Sequence, residues 1–225
     1  MDLHPLILTL QVAALGTLLS FFTGIAAAWG VMRLRRGRGL VDGLLTLPMV
    51  LPPTVVGFFL LMVFGKNSPL GQLLNLLGQS VIFSWRGAVA AAWVMAFPLM
   101  YRTVRGSMEQ LDGDILHAAR TLGMGEWQVF RRVALPNLLP GIVAGVVLAF
   151  ARSMGEFGAT IMLAGNIAGK TRTMAVAVYT AVQAGDYGLA YRWAVVICLL
   201  SMGCMLLLNL WNGWYARRKG RREGF

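Results

Sequence analysis

His117-Ala118-Ala119-Arg120-Thr121-Leu122-Gly123, followed after nine residues by Val133-Ala134-Leu135-Pro136, sets a helix-and-stop pattern in a basic loop between apolar runs. Asp114 is a good N-cap ahead of it and Gly123 a natural C-terminal stop, so these residues predict a helix from 114 through Leu122, about 13 Å long. Ile115, Ala118, Ala119 and Leu122 fall at i, i+3, i+4 and i+7 and make one apolar stripe, in which the two alanines let another surface come close. A second short helix from Glu126 to Val133 is expected to lead into Pro136 and the next apolar run. Taken alone, such a segment suits either an amphipathic helix resting on a bilayer or a helix gripped by another protein.

The flanking composition fixes the setting. Hydrophobic residues make up 57% of the 225 and charged residues 13%, with a mean hydropathy of +0.67, which excludes a soluble globular domain of ordinary composition. The chain therefore reads as an all-α integral membrane protein surrounded by lipid. Cys198 and Cys204 share one apolar run and read as small hydrophobes, with no disulfide or metal pair implied. The N-terminus lacks the basic region and cleavage site of a signal peptide, so the first apolar run is expected to stay as an anchor and all 225 residues to be mature protein.

A helix needs about 20 apolar residues to cross the hydrocarbon layer. Leu6 to Met32 has no charge in 27 residues, Leu44 to Phe64 is also uncharged, and Trp193 to Trp214 is a third clean run with Trp193, Trp211 and Trp214 expected at the interfaces. Val81 to Val104 carries Arg86 and Arg102 near its ends, and Leu138 to about Ile161 is interrupted by Arg152 and Glu156. That makes five predicted spans, with a short apolar helix over 174–184 at the outer face, re-entrant or packed on the bundle.

Five spans put the termini on opposite sides. With the N-terminus out and the C-terminus in, Arg33, Arg35, Arg36, Arg38, Arg102, Arg105, Arg120, Arg131, Arg132, Arg217, Arg218, Lys219, Arg221 and Arg222 lie inside, 14 of the 20 basic residues. Lys66, Arg86, Lys170, Arg172 and Arg192 then lie outside and Arg152 in the membrane, as the positive-inside rule favours. The net charge of +11 is thus spread over loops as topology requires, and a nucleic-acid partner loses its support. The same orientation places residues 105–137 in the cytoplasm.

Within the spans, Leu47-Pro48-Met49-Val50-Leu51-Pro52-Pro53 concentrates three prolines, and Pro52 and Pro53 fit a packing kink as well as a place on a pathway. Arg152 and Glu156, at i and i+4, are expected to pair, lowering the cost of keeping both in the membrane. They suit a polar pathway or its gate, together with Thr160, or a tether between helices. Lys170 and Arg172 could receive an anion or an acidic partner, or be ordinary loop charges.

In position and spacing the opening motif resembles the cytoplasmic coupling loop of the permease subunits of ATP-binding-cassette importers, whose pattern is Glu-Ala-Ala, three residues, Gly, nine residues, Ile-x-Leu-Pro. His117 stands where that family has Glu. With Asp114 as N-cap, position 117 is N3, where Glu would complete a capping box, so His is expected to cost on the order of 1 kcal/mol or less of helix stability and to alter the contact with the ATPase. The resemblance implies a type I importer permease fold in a single transmembrane domain over 1–225, with 114–136 as the coupling loop. In it Asp114, His117, Ala118, Ala119, Leu122, Gly123, Leu135 and Pro136 are expected to contact or shape the contact with an ATPase subunit.

A narrower resemblance is carried by 149–160, by Gly165-Asn166-Ile167-Ala168-Gly169-Lys170-Thr171-Arg172-Thr173, by 51–57, by Phe83-Ser84-Trp85-Arg86-Gly87-Ala88-Val89 and by Phe97-Pro98-Leu99-Met100. These are similar to the permeases of bacterial high-affinity molybdate importers. Sulfate and thiosulfate permeases share a version of Arg-x-x-Gly-Glu-Phe-Gly, and the other segments tilt the choice to molybdate, with tungstate following. The resemblance implies a homodimer in the cell inner membrane, two ATPase subunits, and a periplasmic or lipid-anchored molybdate-binding protein docking near Lys170 and Arg172. No Walker A pattern occurs, so ATP hydrolysis falls to the partner, and neither catalytic residues, a metal nor a cofactor is expected here. A stand-alone secondary anion transporter would call for internal repeats with paired broken helices, which the sequence does not display.

Overall fold

The computed structural model describes residues 2–223, with side chains described for 2–211 and 213. The first helix, α1 (His4–Arg33), begins with Pro5 in its opening turn, where a missing N–H costs nothing. After α2 (Arg38–Val50), α3 (Pro53–Phe64) and α4 (Pro69–Leu76) comes the long α5 (Trp85–Glu109). The intervening loop carries α6 (Gly113–Thr121) and α7 (Glu126–Val129), then a π-turn over Phe130–Ala134 opens into α8 (Leu135–Met154). Two short helices, α9 (Gly158–Leu163) and α10 (Met174–Gln183), precede α11 (Tyr187–Glu223).

Among the described residues, four helical stretches are long and apolar enough to cross a membrane: α1, α5, Glu126–Met154 and Tyr187–Trp211. The expected fifth span, Leu44 to Phe64, is not one helix. It is the pair α2–α3, bent by 111° at Leu51 and Pro52, and it qualifies as a span only when both halves are taken together. Pro52 and Pro53 in succession remove two backbone donors and crowd the carbonyls a turn earlier, while Leu51, ahead of a proline, is driven to an extended ψ of 146°. The span expected from 138 to 161 is interrupted as well: α8 ends at Met154 and α9 restarts at Gly158.

Small residues set the packing. Gly16 lies against Ala92, and Gly24 against Met100 and Tyr101, so α1 and α5 run parallel. Gly145 lies against Thr103 and Met100 and Gly141 against Ser107, so α8 runs antiparallel to α5. Ala28, Val31, Ala96, Met100, Tyr101, Val104 and Ala149 close the core where these helices meet, as expected where small side chains let backbones approach in lipid. Ser20 Oγ donates to the carbonyls of Gly16 at 2.8 Å and Trp93 at 3.2 Å. Thr9 Oγ1 accepts from the Met174 N–H at 2.8 Å and so ties α10 to the first helix. These directions bring Arg33–Arg38 to the same end of the bundle as Arg102 and Arg105.

The predicted helix over 174–184 is present as α10, packed on α11 and α1. Trp193 corrects the expectation of an interfacial tryptophan: it is 3% exposed and packs on Met174 and Ala177, because α10 covers it. The side chain of Trp214 lies outside the described residues.

Candidate coupling surface and transmembrane pathway

The loop helix forms, two residues out of the expected register. Asp112, not Asp114, caps α6, its carboxylate accepting from the Asp114 N–H at 2.8 Å. Acids on both sides of Gly113 offer two possible caps, and the flexible glycine lets the chain turn at the first. His117 is therefore the fifth helical residue, not N3, and the expected loss of a capping box there does not apply. Its carbonyl accepts from Thr121 Oγ1 at 3.0 Å.

The C-terminal stop is where expected. Gly123 has φ +81°, the left-handed region, with Gly123 N–H donating to Arg120 O at 2.9 Å and Met124 N–H to Ala119 O at 3.2 Å, a Schellman closure. Across the turn Arg120 pairs with Glu126 through two bonds of 2.7 and 3.1 Å. This fixes α6 against α7. The expected helix from Glu126 to Val133 is instead α7 plus the π-turn, continuous with α8. Pro136, having no N–H, follows a widened turn in which Leu135 N–H bonds to Phe130 O.

Of the predicted stripe, Ala119 faces inward and is buried, while Ile115, Ala118 and Leu122 are exposed, Leu122 at 83%. Trp127 is 69% exposed and stacks on Phe130 with ring centroids 5.7 Å apart. The result is an apolar surface carried by two short helices, wider than the stripe read from the sequence. Leu135 and Pro136 are half-buried at the start of α8 and shape the loop from behind.

A polar network missed by sequence reading joins α2 to the C-terminal end of α5. Asp42 accepts from Tyr101 Oη at 2.9 Å and pairs with Arg105; Arg105 Nε reaches Glu109 at 3.1 Å, and Glu109 also pairs with Arg38. The positive-inside pattern explains Arg38 and Arg105 as topology charges alone, yet Asp42 and Glu109, two of the chain's nine acidic residues among so many arginines, are a signal of pairing. Since α2 has no fully buried residue, these bonds are a main fastening of the elbow helix. Asp42→Ala and Arg105→Ala are each expected to cost about 1–3 kcal/mol. Thermal unfolding of the purified protein should show the double variant no less stable than the worse single one, the sign of a direct pair.

Away from that network, the two helix breaks lie side by side, a pairing of interrupted helices that the sequence did not reveal. Arg152 Nη1 pairs with Glu156 Oε2 at 2.7 Å, as predicted, although Glu156 lies past the end of α8 and so not on the same helix face. Glu156 Oε1 accepts from the Ala159 N–H at 2.7 Å, and its side chain is 1% exposed. Arg152 lines a cavity of about 190 Å³ with Met49, Leu51, Pro53, Met95 and Leu99. Pro52 ends the elbow beside it. Thr160 is buried, and its hydroxyl and that of Ser153 have no hydrogen-bond partner among the described residues.

In the loop after α9, Lys170 and Arg172 differ in kind. Arg172 Nε donates to Asn166 Oδ1 at 2.7 Å, and Asn166 reaches Thr180 Oγ1 at 3.0 Å, so Arg172 braces the loop. Lys170 is exposed and borders an open cavity of about 800 Å³ with His4, Gln11 and Trp85.

Comparison with known proteins agrees with this architecture. The chain is 45% identical over 225 residues to the molybdenum transport system permease protein ModB of Escherichia coli (strain K12), covering 98% of this chain and 96% of that relative. It is 37% identical over 211 residues to the sulfate transport system permease protein CysT of Salmonella typhimurium (strain LT2), covering 93% of this chain and 76% of that one. A chain of the MetNI methionine ABC transporter in inward-facing conformations superposes with a TM-score of 0.69 at 16% identity and 94% coverage of both chains, a likeness of fold alone. The family model described as "binding-protein-dependent transport system inner membrane component" matches residues 20–221. A match over most of the length shows that the chain belongs to the family of binding-protein-dependent transport system inner membrane components.

Proposed function

We propose that this chain is the permease subunit of an ABC importer for molybdate, with tungstate as a second substrate, in the cytoplasmic membrane. The near full-length identity of 45% to a molybdenum permease, against 37% to a sulfate permease, carries the substrate reading. Two copies form the path, and two ATPase subunits grip the surface around Ala118, Leu122 and Trp127. Substrate arrives from a periplasmic or lipid-anchored binding protein. The N-terminus lies outside and the loop over 114–136 inside, which sets the exposed apolar surface on the side where ATP is available. The subunit itself does no chemistry on its cargo.

Reconstitution with the ATPase in proteoliposomes tests this directly. Binding protein loaded with molybdate should stimulate ATP hydrolysis and uptake; stimulation by the sulfate-loaded protein alone would replace the substrate reading with the sulfate one. In the same assay Lys170→Glu is expected to weaken productive docking and lower uptake about two- to tenfold at limiting binding protein, through a reversed rim charge. Unchanged uptake there would remove Lys170 from the docking surface.

A further inference from the structure

Among the described residues, Arg152 is the one charged side chain lining the cavity at the two helix breaks; its neighbours there are Met49, Leu51, Pro53, Met95 and Leu99. Glu156 is fixed behind it by the Ala159 N–H at 2.7 Å and is almost fully buried, whereas the Arg152 side chain is 30% exposed. The pair is therefore asymmetric, with the cation in front and the anion locked at its back. A guanidinium carries five N–H donors in a planar fork; Nη1 stands 2.7 Å from Glu156 Oε2 as an ion pair without an aligned hydrogen bond, leaving donors for a ligand that accepts through two oxygens.

We propose that Arg152 is a contact site within the membrane for a tetrahedral oxyanion dianion and that Glu156 sets how tightly it holds. This rests on the permease reading above. A conducting site must bind well enough to admit the ion and weakly enough to release it. Glu156 supplies that limit, because a fixed carboxylate 2.7 Å from the guanidinium repels the arriving dianion through the group that attracts it. Glutamine at 156 keeps an oxygen for the Ala159 N–H and removes the charge, with an uncharged amide NH2 in place of the oxygen that faces Arg152.

The test uses the purified permease–ATPase complex without binding protein, with retained molybdate, tungstate or sulfate measured by elemental analysis. Glu156→Gln should tighten retention about tenfold, the scale on which one nearby charge acts. Arg152→Gln, alone or combined with Glu156→Gln, should abolish it. Retention in Glu156→Gln equal to the wild type, or a gain that persists in the double variant, overturns the proposal. Should the variants not assemble, the wild-type complex decides. Molybdate should slow phenylglyoxal modification of the Arg152 peptide more than chloride of equal ionic strength does, and equal protection overturns the proposal. Wild-type uptake in proteoliposomes separates the two failures. Import without any Arg152 effect removes this site alone, while no import of any oxyanion removes the permease reading.

Discussion

Leu122→Asp is expected to leave the protein folded and membrane-inserted while removing most ATP-driven uptake. The side chain is 83% exposed in the isolated chain, at the C-cap of α6, and its backbone N–H to the Ala118 carbonyl is kept by any residue other than proline. A surface change of this kind alters a protein's own stability by about 0.5 kcal/mol or less. In the assembled importer, Leu122 would instead be buried with Ile115, Ala118 and Trp127 in a groove of the ATPase. Full burial of a leucine is worth about 1.5–3 kcal/mol, and an unpaired carboxylate in its place adds a desolvation penalty of several more. The expected outcome is a permease that purifies in normal yield but recovers ATPase poorly and transports at about a hundredth of the normal rate or less. Normal co-purification and uptake would mean that this surface faces the bilayer. By contrast, breaking the exposed Arg120–Glu126 pair should leave stability almost unchanged, since solvent screens it.

The loop was legible because its signals are local. Gly123 needs only its own φ to end a helix, and the spacing of Ile115, Ala118 and Leu122 declares a face. What failed there was also local: Asp112 and Asp114 are equivalent caps by residue type, and the choice between them depends on how Gly113 turns. The apolar span through Pro48, Pro52 and Pro53 was legible in length and in its risk of kinking. Hydropathy counts side chains, however, and gives no bend angle, so the 111° elbow was not visible. Pairing of Arg152 with Glu156 followed from spacing, yet the second bond of Glu156, to Ala159, needs the break at Gly155 to exist first. The Asp42–Tyr101–Arg105 network joins residues about sixty positions apart, beyond the reach of any periodicity.

Gly57→Val is expected to abolish most transport by a different route, from within the membrane. The helices α3 and α9 run parallel and touch at glycines on both sides. A Cβ at Gly57 would stand 2.8 Å from both Ala159 Cα and Met162 Cβ, and one at Gly158 would stand 2.8 Å from Pro53 Cβ and 3.2 Å from Thr54 N. None of these atoms is the far end of a flexible side chain, so the helices themselves must separate. Overpacking of this kind costs about 1–3 kcal/mol even before helix displacement is counted. Displacement matters here because α3 carries the Pro53 wall of the Arg152 cavity and α9 carries the N–H that holds Glu156. Gly57→Ala should show the same defect in milder form, while Gly203→Ala, with no atom within 4 Å of the added methyl, should leave uptake unchanged. Uptake and thermal unfolding of the three variants distinguish the causes. A Gly57→Val protein that unfolds at the wild-type temperature yet does not transport would place the α3–α9 contact in the moving part of the cycle. One that loses stability in proportion to uptake would make the contact a structural fastening, and full activity would show that α3 can shift without disturbing the path.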